Sequence, residues 1–226
     1  MKKIRLFIAA FLGAFFIAVP CYAGNQTASA TLASAVIVNA RSYLNEATAS
    51  FWSDAQLLVW LNDGTMDIFG RTHCVEDIES ETLIASTTTY ALSDPFIVIK
   101  AVIYNSVKSL RKGSIEHIGD VNVTLGEPSY WTQWENTVIV YPAPDSDAAG
   151  NTIDVYTVER PIEVAAGAAV LVPDQYDKAL TLYIVEQALL RDEQYGKAAK
   201  VRSDYLAELD RYRTDFSAQP GPKEIR

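Results

Sequence analysis

The hydrophobic period of this chain changes twice, and that restricts the folds open to it. From Leu32 to Phe69 apolar residues recur every three or four positions, from Ile78 to Pro161 they alternate or run in short blocks, and from Pro173 the wider spacing returns. A 3.6-residue period puts side chains on one face of a helix and a two-residue period on one face of a strand, so neither pattern substitutes for the other. The expected fold is α+β: an N-terminal helical hairpin and a C-terminal helix pair packed with a small antiparallel β region.

Leu32, Val36, Ala40 and either Tyr43 or Leu44 mark a first helix, 32–44. A second, 53–72, opens on Phe51-Trp52-Ser53-Asp54-Ala55-Gln56-Leu57. Ser53 and Gln56 have capping-box spacing, Asp54 suits the positive end of the helix dipole, and Trp52 is placed to staple onto Leu57. The short polar connector between these helices implies an antiparallel hairpin. In the β region, 78–161, the candidate strands are Glu81–Ala85, Thr89–Leu92, Ile97–Tyr104, Val138–Tyr141 and Ile153–Val158, with Ile97–Leu110 also readable as a strand turning into a short helix. Turn residues at 145–151 predict that the last two strands pair antiparallel. The closing helices are 174–192, with Asp174 as cap, and 197–216, whose stripe holds Ala198, Val201, Tyr205, Leu209, Tyr212 and Phe216. Residues 24–216 are thus expected to form the α+β domain, and the Pro- and Gly-containing 217–226 a flexible tail.

With 226 residues, 49% of them apolar, the chain has enough for one or two cores. Its net charge of −9, without any cluster of four or more Lys or Arg, argues against sequence-specific DNA binding. Residues 1–23 are signal-peptide-like: basic Lys2, Lys3 and Arg5, an apolar run from Leu6 to Val19, and small residues leading to a cut after Ala23. That run is shorter than the roughly 20 residues of a membrane span. Its removal would leave Cys74 as the single cysteine, with no internal disulfide.

Catalytic motifs do not emerge. His73 and Cys74 adjoin, but sequence neighbours rarely present both side chains to one substrate or metal. Asp174 with Asp177, and Glu76 with Asp77 and Glu79, offer carboxylate pairs; the first pair equally suits the opening turn of a helix. No Walker-type loop, G-x-S-x-G or G-x-G-x-x-G occurs. No catalytic residue, cofactor site or metal site is expected. The aromatic group Tyr130, Trp131, Trp134 and Tyr141 reads either as core or as a contact anchor. Tyr130, Trp131, Trp134, Tyr205, Tyr212 and Phe216 are the candidate interface residues.

The string Arg41-Ser-Tyr-Leu-Asn-Glu46 followed by Phe51-Trp-Ser-Asp-Ala-Gln-Leu-Leu-Val-Trp-Leu-Asn-Asp-Gly64 resembles the opening helix pair of the head-to-tail adaptor (connector) proteins of short-tailed and related phages. Thr89–Leu92 with Pro95, Pro128–Trp131 with Ile139–Asp145, Ile153–Pro161, and the helices at 174–190 and 205–213 resemble the elements that follow, in the same order. The resemblance implies a structural virion protein. It would form a homo-oligomeric ring, twelve-fold like the portal it docks beneath, and meet a tail or nozzle protein on its other side. DNA would pass through without sequence-specific contact. Its place would be the head–tail junction. The signal-peptide-like start departs from that pattern, and leaves as the alternative an exported periplasmic or secreted α+β binding module using the Tyr130–Tyr141 aromatics.

Overall fold

A computed structural model describes residues 28–46, 48–115 and 124–217, with side chains as far as 212. The signal-peptide-like segment 1–23 and the tail from 218 onward lie outside the described residues. Four helices, α1 (Ala33–Tyr43), α2 (Asp54–Thr72), α3 (Asp177–Arg191) and α4 (Tyr195–Ser217), bracket eight strands. These are β1 (Glu76–Thr82), β2 (Thr89–Ala91), β3 (Phe96–Tyr104), β4 (Lys108–Ser109), β5 (Arg111–Lys112), β6 (Tyr130–Trp134), β7 (Thr137–Tyr141) and β8 (Thr152–Glu159). The α+β class follows.

The start of α2 is the one read from sequence. Ser53 Oγ accepts from the Gln56 amide at 3.2 Å, and Gln56 Oε1 accepts from the Ser53 amide at 3.1 Å. The helix ends on His73 in the left-handed region at φ 51°. Leu57, Leu61, Ile68 and Phe69 turn inward and are essentially inaccessible; each such side chain stabilises the fold by roughly 1.5–3 kcal/mol relative to exposure. α3 lies at the centre of the helical body, against α1, α2 and α4. Its ion pairs to α4, Lys178–Glu208 and Glu186–Arg202, both 3.1 Å, advance along one helix as they recede along the other, so the closing pair is antiparallel.

At Gly64 α3 side chains pack directly onto α2: a Cβ there would sit 2.8 Å from Tyr183 Cδ1 and 2.9 Å from Leu180 Cδ1. Gly64→Val should therefore lower stability by about 1–3 kcal/mol through overpacking, seen as a reduced urea midpoint with an unchanged slope.

The α1–α2 connector is held by charge. Arg41 is buried on α1; its Nη2 donates to the Trp52 carbonyl at 2.7 Å and to Asp54 Oδ1 at 2.6 Å, and its Nη1 lies 3.3 Å from Glu46 Oε2. Glu46 Oε1 in turn accepts the amides of Ser50, Phe51 and Trp52. Burial alone would raise the Glu46 carboxyl, but those amides outweigh it and hold the group below the ordinary glutamate range.

The strands form two four-stranded sheets, ordered β1-β8-β3-β4 and β2-β7-β6-β5, antiparallel except for the short parallel β5–β6 pair. Ile99, Val102, Ile153 and Val155 from the first share a core with Tyr90, Trp131, Val138 and Val140 from the second. The helices keep a separate core, centred on Leu61, Ile68, Leu180, Ile184 and Tyr205.

Three local expectations are corrected. Val138–Tyr141 and Ile153–Val158 do not pair: β7 is flanked by β2 and β6, and β8 by β1 and β3. Pro142 and Pro144 have no amide to give a ladder, and Asp145 Oδ1 turns the chain by accepting from Asp147 and Ala148, so the connection crosses between sheets. Asp174 is not a cap; it opens a 3-10 turn, Asp174–Tyr176, that has no side-chain cap. The first strand lies at Glu76–Thr82, not Glu81–Ala85, because full antiparallel register with β8 overrides the weak strand preference of its acids. The open choice at 97–110 resolves as strand, a turn at Asn105-Ser106, and strand.

Candidate functional site

β6 decides the fate of the aromatic group, because its side chains alternate between the two faces of its sheet. Trp131 points into the sandwich core, 2% exposed, with Lys112 Nζ 5.2 Å from its ring centroid. Tyr130 and Trp134 point outward, 40% and 57% exposed. Across β7 they meet Tyr141 and Thr137, and Thr132 meets Ile139. β2 adds Thr89 and Ala91 beside Ile139 and Thr137. The outward-facing residues of β2, β7 and β6 thus carry no charge, with an aromatic residue at each end of β6 and Arg111 of β5 in register beside Tyr130.

Two of the expected contact residues are instead core. Trp131 is one. Tyr205 is the other: wholly buried, its hydroxyl donates to Asp67 Oδ2 at 2.6 Å and its ring meets Tyr183 edge-on at 5.6 Å. Burial, then the bond to Asp67, pushes the Tyr205 hydroxyl far above the ordinary phenol range. Asp67 moves the other way: burial would raise its carboxyl, but the bonds from Arg71 and Tyr205 hold it low. The helical period that made Tyr205 look like a contact stripe aims it at α3 and α2. Tyr212 is half-buried against Tyr176, with ring centroids 5.8 Å apart. The Phe216 side chain lies outside the described residues.

Cys74 is buried, and burial pushes its thiol up to about 11. At pH 7.5 a thiol reagent such as DTNB should label it far more slowly in the folded chain than in urea; equal rates in both would contradict its placement. Asp177 Oδ2 accepts from Thr31 Oγ1 at 2.6 Å and Ser29 Oγ at 3.2 Å, tying the first described residues to α3. Burial raises the Asp177 carboxyl, and Asp174 adds to that. Glu76, Asp77 and Glu79 lie along an outer strand. Among the described residues no group of three or more His, Cys, Asp or Glu could hold a metal ion, and no helix is long and apolar enough to cross a membrane.

Sequence reasoning missed a groove of about 570 Å³ where the α1–α2 connector meets α3 and α4, lined by Tyr43, Phe51, Trp52, Leu189, Lys197 and Lys200 among others. Phe51 and Tyr43 stand at its rim, 67% and 57% exposed. Phe51 stands in the sequence just before the Ser53 cap and outside the helix stripe, whereas Tyr43 is open as a stripe residue of the first helix, a place where the structure gives it no core to fill. No His or Cys lines this groove.

A family model described as SU10 adaptor protein matches residues 31–226. No curated protein matches the chain.

Proposed function

Because the chain belongs to the SU10 adaptor protein family, a family of phage structural proteins, we propose that it forms a ring between the portal and the tail. The match over residues 31–226 carries this reading, since it takes in nearly the whole described fold. Its partners in that reading are further copies of itself, a portal above and a tail or nozzle protein beneath. Contacts are its function. Tyr130 and Trp134 are the aromatic anchors we assign to them, because exposed aromatics among uncharged β2, β6 and β7 neighbours, with an arginine at the margin, have the composition of interface centres. A net charge of −9 suits a conduit that DNA crosses without adhering. The ring is twelve-fold if it follows a portal of that symmetry, and the location is the head–tail junction.

The purified chain tests this. Sedimentation with isolated portal should give a co-sedimenting assembly much larger than one chain, and Trp134→Ala should weaken that assembly while leaving thermal stability nearly unchanged. A chain that stays monomeric with the portal present contradicts the reading.

A further inference from the structure

The two lateral sides of the β sandwich carry opposite charge. On one side β1 is bonded to β8 alone, so among the described residues its other edge has no strand partner. Its residues include Glu76, Asp77, Glu79 and Glu81 and no Lys or Arg. Lys100 pairs with Glu76, but among the described residues Asp77, Glu79 and Glu81 have no cation within ion-pair distance. The group strains against itself: burial raises the Glu81 carboxyl and the charge of Glu79 adds to it, while Glu159 is raised by burial and then by Asp77 and Asp94.

On the other side β4 ends the first sheet and β5 ends the second. Only Leu110 separates them, so both ends lie on one flank, away from β1 and β2. That flank carries Lys108, Arg111 and Lys112 and no acid between them. Lys108 bonds Glu127 at 2.5 Å, Lys112 lies over Trp131, and Arg111 has an exposed side chain. Val107 stands beside them 87% exposed, and the acidic flank has its own apolar residue in Ile78, 43% exposed.

Copies of an acidic chain repel one another in most orientations. A head-to-tail contact that sets the basic flank on the acidic one converts that repulsion into attraction, and such heterologous contacts close into rings when the rotation per copy divides a full turn. Resting on the ring reading above, we propose that the β1 edge of one copy docks against the β4–β5 flank of the next, Asp77, Glu79 and Glu81 facing Lys108, Arg111 and Lys112. The apolar Val107 and Ile78 lie within the contact. The charge pattern sets the direction of assembly, since two like flanks cannot meet.

Charge reversal tests it on the full chain. One variant carries Asp77→Lys and Glu81→Lys, the other Lys108→Glu and Arg111→Glu; association is read by sedimentation over a concentration series. Each variant alone should need about tenfold more protein, or beyond, to half-assemble. Their equimolar mixture should recover to within about threefold of the unaltered chain, which also certifies that both fold, and the unaltered chain should dissociate as salt rises. Variants that assemble like the unaltered chain, or a mixture that does not recover, overturn the flank pairing and leave the ring reading standing. An unaltered chain that never associates, with isolated portal added or without it, overturns both.

Discussion

Arg41→Ala should lower the stability of the subunit by about 3–5 kcal/mol, the range for removing one partner of a buried ion pair. Asp54 contributes little to that figure, because its side chain is 70% exposed and water can replace the guanidinium. The cost falls on Glu46, whose side chain is only 10% exposed, and on the Trp52 carbonyl, which lose their cation and donor together. Arg41→Lys keeps the charge but not the fork that bonds the Trp52 carbonyl and Asp54 while lying beside Glu46, so it should recover part of the loss only. Urea unfolding of the three proteins measures this; an Arg41→Ala midpoint equal to that of the unaltered chain contradicts the arrangement. A pH effect accompanies it. Since the Glu46 carboxyl is held below its unfolded value, its contribution is fully present above about pH 4.3 and is lost as pH falls through the lower folded value.

Tyr205→Ala is the second large effect, about 3–5 kcal/mol for emptying a buried aromatic site. Tyr205→Phe should cost about 1.5–3 kcal/mol, the range for a hydrogen bond to a charged acceptor, since Asp67 keeps Arg71 but loses the hydroxyl. These variants separate core from contact. Replacing a core tyrosine lowers the melting temperature of the isolated subunit whether or not assembly occurs, whereas replacing Trp134, proposed as a contact residue, should leave it unchanged and shift association. Unchanged melting for Tyr205→Ala contradicts its burial.

The elements written by local chemistry were legible in the sequence. The Ser53–Gln56 capping box fixed the start of α2, and the stripe through Ala198, Tyr205 and Leu209 fixed α4, because capping and helical period each depend on residues a few positions apart. What sequence could not supply was the choice of partners across long separations. Val138–Tyr141 and Ile153–Val158 look like a hairpin because they are neighbours with a turn between them; which sheet each joins is decided by β2, β6, β1 and β3. The same holds for the aromatics. Trp131 and Trp134 read alike as residues, and only the pleat of β6 turns one inward and the other out. Arg41, Glu46 and Asp54 entered as parts of a resembling string, while the reason for the string, one guanidinium closing the connector, needed coordinates. The charged flanks stood in the sequence as Glu76–Thr82 and Lys108–Lys112, but their opposition across the sandwich is a property of strand order.

A reconstruction of the neck of purified particles would locate the chain directly. If the chain is a neck subunit, a ring directly beneath the portal will show repeating density that accepts this fold, with Trp134 and the β1 and β4–β5 flanks in contacts between chains. Particles that lack the chain, or carry it as isolated copies away from that junction, would contradict it.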